Sequence, residues 1–543
     1  MRKPSQVWLT LLVCFAAIAA SAQSFQIQCP TSTITHPNAA NNNSEPAYTG
    51  PTTFTTLSAA NGGYKVPATK VNGAIKCQQI SGGDGFATMG DGTQTYMFSF
   101  GPLSGLADMS NGLAGTQFPN VFNTPYSGTL VPGDPATKDG AAQPYTQGNP
   151  ALFTYNGAVG LAPDLDNGGA MDGHVDPRPI MDVGVLNGNI PAPLMAIDED
   201  DEFFLTLTNV GQVMRPDLFE QHTVHFHGYP NASSFYDGVP DASVAINIGG
   251  SFTYYYLAPE AGTYFWHCHI TPPEHLQMGM VGQIYVRPRQ DRVPAGSSLY
   301  TALQQQQNDP RTACPLGSDT THSDILCSNP LPAINTVTNT SAVYDAAVSG
   351  TNESRPGYAY NDGDGSTYYD REYPLQIHGF DPNFHFVGMT FNPENFTDMK
   401  DKFFLLNGRS YPDTVSTGPL ATQTTDGLMH YAQPLPSIIQ IPAGGRALLR
   451  ISSLDVTEHQ TLASLGIRMH VVGINAKLLR DQAGNNLDYY TNSITIGGGE
   501  SIDVILDASG VPTGTYYLYT PNLDHLSNDA ENFGGLMTEV RVN

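Results

Sequence analysis

Six of the fifteen histidines in this 543-residue chain fall between positions 222 and 275. In "HTVHFHG", His222 is followed by His225 and His227, and "TYFWHCHITPPEHLQMGM" (263–280) brings His267, Cys268, His269, His275 and Met280 within fourteen positions. On a strand, residues two apart share a face and their neighbours point the other way. His225 and His227 therefore share one face, His267 and His269 do the same, and Cys268 between them points to the opposite side.

That alternation lets one strand serve two sites. Cys268, His275, Met280 and a further histidine, best assigned as His222, supply a thiolate, two imidazoles and a weak thioether, which is the ligand set of a blue copper electron-transfer site. On the other face His225, His227, His267 and His269 make a four-imidazole cluster able to hold copper that meets a substrate. An electron on the Cys268 sulfur need cross only the neighbouring backbone to reach a metal on His267 or His269. Taken singly, H-x-H pairs are more often structural, Met280 would be a core residue, and Cys with His also suits zinc. The joint pattern, H-x-x-H-x-H, then H-C-H, then His and Met five apart, selects copper.

The elements that must position these residues read as all-β, a sandwich or barrel. Short alternating runs such as "DEFFLTLTNV", "SFTYYYLA" and "QIYVRP", with Gly- and Pro-rich turns between them, predict antiparallel strands, and long amphipathic helices are missing. A Gly-, Pro-, Asn- and Asp-rich stretch from about 105 to 190 is too long for an ordinary loop and reads as an insertion. Residues 293–370 read as an irregular interdomain linker, in which "DGDGS" (Asp362, Asp364, Ser366) is a plain turn rather than a calcium loop, since no acid stands at its twelfth position. "GTYFWHCHITPPEHLQMGMVGQIYV" and "GTYYLYTPNLDHLSNDAENFGGLMTEVRV" repeat one strand–loop–strand unit, so two copies of one sandwich are expected: 23–292 with copper ligands and 371–543 without.

Residues 1–22 combine Arg2 and Lys3, an apolar run and Ala20-Ser21-Ala22, a signal peptide that places the mature protein outside the cytoplasm, periplasmic or secreted. No later stretch is long and apolar enough to span a membrane. Without Arg2 and Lys3 the net charge moves from −26 to −28, which tells against nucleic acid and favours solubility or cations. Apart from Cys14 in the leader, five cysteines remain; four can pair, most simply Cys29 with Cys77 and Cys314 with Cys327. The lone thiol is Cys268, which a metal would keep from oxidation.

"HTVHFHG" with "WHCHITPPEHLQMGM" resembles the copper-binding repeats of the multicopper oxidases, the cupredoxin family that includes laccases, ascorbate oxidase and ceruloplasmin. The resemblance is strong over roughly 190–290 and weak over 371–543. It implies two cupredoxin-like Greek-key sandwiches, with His222 joining Cys268, His275 and Met280 at type 1 copper. It also implies His225 at type 2 copper, His227, His267 and His269 at the type 3 pair, and Asp237 in "FYDGVP" assisting proton delivery. Three departures stand out. Six residues separate Cys268 from His275, two more than in most laccases, so that "PP" is expected to make a bulge. Thr271 replaces an acid found in many members. The second domain shows Tyr519, Thr520 and Pro521 where His267, Cys268 and His269 would repeat, and only His470 in "LGIRMHVVGIN", read as the place of H-x-H. His525 falls near a type 1 position but reads as structural, and His378, His385, His430 and His459 fit no motif.

One chain thus carries half a trinuclear cluster, which another copy of the first domain in a homo-oligomer could complete. The expected function is that of an exported copper oxidase, taking single electrons from a phenolic donor or a metal ion and passing them to O2. A non-enzymatic blue copper carrier and a nitrite reductase-like enzyme are the alternatives.

Overall fold

The computed structural model describes residues 29–37, 45–55, 66–104, 116, 153–155, 158–163, 175–176, 186–215, 219–228, 233–258, 260–307, 330–339, 356–388, 395–423 and 429–543. The leader and the Cys314–Cys327 pairing lie outside these residues; Cys29 and Cys77 form a disulfide.

The chain is mostly β. The first sandwich is built from β1 (Ile75–Thr88), β2 (Gln94–Pro102), β3 (Met195–Asp198), β4 (Glu202–Gly211), β5 (His225–Phe226), β6 (Ser251–Leu257), β7 (Gly262–His267) and β8 (Val281–Arg287). One sheet has the order β2-β1-β4-β6 and the other β3-β8-β7-β5. The second sandwich uses β9 (Arg371–Phe380), β10 (Phe403–Leu406), β11 (Ile439–Ile441), β12 (Arg446–Ser453), β13 (Gln460–Leu465), β14 (Met469–Ile474), β15 (Ser493–Ile496), β16 (Glu500–Asp507), β17 (Gly514–Tyr519) and β18 (Met537–Val542). Its sheets contain β10-β9-β12-β16-β14 and β11-β18-β17-β13-β15. The second sandwich repeats the strand order of the first and adds β14 and β15 at its edges; the parallel pairs β1 with β4 and β9 with β12 correspond, as do β3 with β8 and β11 with β18.

Alternation explains the packing. In β4, Phe203, Leu205 and Leu207 enter the core between the sheets, while Thr206 and Thr208 meet Thr253 and Ser251 on the neighbouring strand at 2.8 and 2.7 Å, cross-strand pairs of the kind that stabilise sheets. In β7 and its extension, Tyr264, Trp266 and Cys268 fill the same core. Thr263, Phe265 and His267 point instead toward the second sandwich, where Thr263 donates to Asp503 at 2.5 Å and Phe265 packs against Leu454.

Three local expectations are corrected. The strand carrying H-C-H ends at His267, so Cys268 and His269 lie just beyond it. "PP" makes no bulge: Pro272 and Pro273 open the short helix α1 (Pro272–Gln277), because proline at the first helical positions lacks only an N–H that would have no intrahelical partner. Parts of the two stretches read as irregular are regular, with α2 at Leu299–Gln306 and a small sheet of Phe153–Tyr155, Ala158–Pro163 and Val175–Asp176. The "DGDGS" turn holds: the Asp362 carboxylate accepts from the backbone N–H groups of Asp364, Gly365 and Thr367 and from Gln290, so its oxygens are already used.

Candidate metal centre

Three buried side chains meet at the end of the first sandwich. His275 Nδ1 lies 3.2 Å and His222 Nδ1 4.0 Å from Cys268 Sγ. Ligands about 2.0–2.3 Å from one ion stand roughly 3.5 Å apart in a tetrahedral site, so the three donor atoms fit a single metal. Met280 is fully buried in the same core; the Cys268 N–H donates to its carbonyl at 3.2 Å and its own N–H donates to the His275 carbonyl at 2.9 Å. This pair of backbone bonds ties the loop through α1 back onto the cysteine.

Several neighbours escape a motif reading. The Thr223 N–H points at Cys268 Sγ at 3.4 Å, and Thr223 Oγ1 accepts from the His269 N–H at 3.0 Å. Phe98 of β2 sits edge-on to His275, with ring centres 5.1 Å apart. A Cβ on Gly82 of β1 would lie 2.8 Å from His222 Cδ2, so that strand can approach the ring only as glycine. Glu220 stands 3.6 Å from His275 Nε2. Burial opposes the Cys268 thiolate, but the flanking His275 and His222 outweigh it and hold the thiol well below its ordinary range. Burial would likewise lower His275, yet the thiolate and Glu220 raise it to about 9.

On the opposite face His225, His227 and His267 bring ring nitrogens within 4.8 Å of one another, and the His269 ring centre lies 5.1 Å from that of His225. His267 Nδ1 is 2.7 Å from the Cys268 carbonyl and His225 Nδ1 2.6 Å from the Asp237 carbonyl. Each Nδ1–H donates there, which leaves the Nε2 lone pair as the metal-binding one; that of His267 is 2.9 Å from His227 Nε2. Burial, with neighbouring imidazoles adding to it, lowers His267 to about 3 and His227 to about 4, so both rings are neutral ligands at pH 7. Asp237 serves His225 through its carbonyl, with its carboxylate 3.6 Å from the same nitrogen. His227 and His267 open into a cavity of about 500 Å³ whose far wall comes from the second sandwich: Leu454, Asp455, Val456, Thr457, Glu458 and His459.

The strand pairing shows what the second sandwich has in these places. His267 pairs with His225 in the first sandwich, and Tyr519 pairs with Ala463 in the second. The counterpart of H-x-H is therefore Ala463-Ser464-Leu465, which corrects its placement in "LGIRMHVVGIN"; His470 instead pairs with Asp488 at 2.8 Å and stacks on Tyr490. The same register puts Gln460 at the His222 position and Thr520 at that of Cys268. Thr520 N–H donates to Leu536 and Leu536 N–H to His525, the bonds that Cys268, Met280 and His275 make in the first. A hydrogen bond of 2.9 Å from His525 Nδ1–H to Gln460 Oε1 fills this second position. His385 is committed to the carbonyls of Tyr96 and Gln277, and His378 to that of Gln277. His430 is buried. Among the described residues His459 is the one second-sandwich imidazole lining the cavity, and no second set of four faces the first. A further acidic group, Glu45, Asp198 and Asp201, already has the Lys76 ammonium among it, in contact with Glu45 and 3.2 Å from Asp201.

Family models described as multicopper oxidase match residues 172–291 and 391–537, one on each sandwich. The chain belongs to the multicopper oxidase family. Among curated relatives of this family member, laccase abr2 of Aspergillus fumigatus is 33% identical over 109 residues, 20% of this chain and 17% of the laccase. A copper-containing nitrite reductase of Rhizobium meliloti is 34% identical over 110 residues, 19% of this chain and 26% of the reductase. The chain thus matches well under two thirds of the length of either relative. The solved multicopper oxidase mgLAC aligns over 87% of both chains at 15% identity with a TM-score of 0.45.

Proposed function

We propose that the protein is an exported copper oxidase that takes single electrons from a reducing donor, phenolic or a metal ion, at the Cys268 site and passes them to O2 at the histidine face. The observation that carries this reading is the double role of one residue. Cys268 offers its sulfur to the buried site while its carbonyl accepts from His267 Nδ1 at 2.7 Å, so the thiolate and the histidine cluster are joined by a few covalent bonds and one hydrogen bond. Bound copper supplies the one-electron couple at both faces. His222, Cys268, His275 and Met280 would hold it on the donor side in a buried pocket, and a thioether from Met280 would favour a lower potential than an apolar residue there. His225, His227, His267 and His269 present their imidazoles on the other side, those of His227 and His267 neutral, and the first sandwich of another subunit would supply the rest of a cluster. Export is supported by the Cys29–Cys77 disulfide, a bond that persists in oxidising compartments.

Copper per chain measured together with oligomeric mass tests the assembly: the cluster requires more than one copper per chain in an oligomer, and a value of one would sink it. His225→Ala should abolish oxygen uptake with a chromogenic donor yet leave the blue absorbance; loss of the blue band with this substitution would contradict the two-face reading. A second reading, nitrite reduction at a single copper on the histidine face, is favoured by the close His227–His267 pair, Nε2 to Nε2 2.9 Å, and by the likeness to the reductase. Nitric oxide release from nitrite distinguishes it. A blue protein that reduces neither acceptor would be an electron carrier.

A further inference from the structure

Behind the far wall of the cavity two carboxyl groups meet. Asp455 lines the wall opposite His227 and His267, and Asp401, buried between the exposed Lys400 and Lys402, stands behind it. Both carboxyl groups close over Gly379 of β9: a Cβ there would collide with Asp401 and lie 2.8 Å from Asp455 Oδ2. Between them sits the Thr457 hydroxyl, hydrogen-bonded to Asp401 Oδ2 and 3.1 Å from Asp455 Oδ1.

A hydroxyl has one proton to give. The Asp401 and Asp455 carboxyls are also hydrogen-bonded to each other, which two carboxylates cannot do, so one carboxyl of the pair must itself be protonated, and Thr457 can then accept from that acid while it donates to the other. Asp455 accepts from the backbone N–H groups of Thr457 and Glu458 and from Gln460 Nε2, so its oxygens already hold three donors. Asp401 accepts from Gln277 Nε2 at 2.9 Å as well as meeting Thr457, and burial together with the neighbouring Asp455 charge holds it well above the usual carboxylate range. The proton therefore rests on Asp401. The other titratable groups around the pair are His378 beside Gly379, whose Nε2 lies 3.3 Å from the Gln277 carbonyl, and Glu458 and His459 on the cavity wall.

We propose that Asp401, Thr457 and Asp455 form a proton relay that feeds the oxygen-reducing face, carrying protons from the surface at Lys400 and Lys402 into the cavity beside His227 and His267. The inference rests on the oxidase reading. Reduction of O2 to two waters consumes four protons with the four electrons taken from four donor oxidations. Asp401 gives its proton to Thr457 oxygen as Thr457 gives its own to Asp455; Asp455 releases one into the cavity, and Asp401 is reprotonated from solvent. No electron passes through the relay.

The test uses the full-length protein and two variants, Asp401→Asn, which keeps the shape and loses the proton, and Thr457→Val, which breaks the bridge and keeps both acids. Infrared difference spectra of the metal-free protein should show a protonated carboxyl at neutral pH that Asp401→Asn lacks. In the copper-loaded protein, reoxidation of the pre-reduced enzyme by oxygen should slow by at least about tenfold in both variants and change its pH profile, while donor bleaching of the blue band stays unchanged. A carboxyl band that persists in Asp401→Asn, or reoxidation with unaltered rate and pH profile, overturns the relay alone. A wild-type holoprotein that takes up no oxygen overturns the oxidase reading and the relay with it.

Discussion

At the scale of single residues the chemistry is concentrated in Cys268, whose two ends face two different sites. Cys268→Ser should remove the blue absorbance and the copper of that site, checked by absorption and metal content. A less obvious dependence falls on Gly82. In Gly82→Ala the new methyl would press on His222 Cδ2 from 2.8 Å; such overpacking costs about 1–3 kcal/mol, so denaturant unfolding should report lower stability and the blue band should shift as the ring is displaced. An unchanged spectrum would show that β1 does not wall the site. The ligand candidates His222, Cys268, His275 and Met280 are legible in the sequence because they stand close together in two motifs. Gly82, Phe98 and Glu220 are not, because their proximity arises only when β1, β2 and the segment before His222 close around those motifs.

At the scale of elements, the two sandwiches share one strand order, and the second keeps the backbone of a copper loop with a histidine, His525, as its one remaining donor. Gln460, Thr520, His525 and Leu536 occupy the places of His222, Cys268, His275 and Met280, with the same backbone bonds between them. Restoring the donors in Gln460→His, Thr520→Cys, Leu536→Met should raise copper content by one per chain and add a second thiolate-to-copper absorbance. If the triple variant folds and binds no added copper, the correspondence is wrong. The repeat itself was readable from Gly-Thr-Tyr and its returning strand. The place of H-x-H was not, because the sequence between β13 and β17 gives no landmark and only the pairing of Tyr519 with Ala463 fixes the register.

At the scale of the whole molecule, the sandwiches are joined through buried charge. Glu372 of β9 accepts from Arg287 of β8 at 2.6 and 2.9 Å and from Arg450 of β12 at 3.0 Å, and Arg450 also lies over the Tyr285 ring at 4.7 Å. Burial opposes the Glu372 carboxylate, but the two guanidinium groups prevail and lower its pKa from 4.5 to about 2. A depressed carboxylate contributes stability that is present above its unfolded value and is lost as pH falls through the folded one. The joint should therefore weaken from about pH 4.5 toward pH 2, and Glu372→Gln should flatten that part of the stability profile. At neutral pH the same substitution leaves two buried guanidinium groups short of charge and should cost about 3–5 kcal/mol, measured by denaturant unfolding. A variant as stable as the wild type at pH 7, with the same acid limb, would remove this pair from the account.

Ligand types, their alternation about Cys268, the β class and the internal repeat are properties of residue order, and the sequence determined them because strand geometry sends alternate side chains to opposite faces whatever the partner strand. The tertiary structure decided what those faces meet. It set the His227–His267 face against Asp455 and Glu458 across a cavity, brought Asp401 and Asp455 together over Gly379 from positions 54 residues apart, and filled the second copper loop with the Gln460–His525 bond. Each of these depends on which strands pair and how two sandwiches pack, long-range choices that no local spacing encodes.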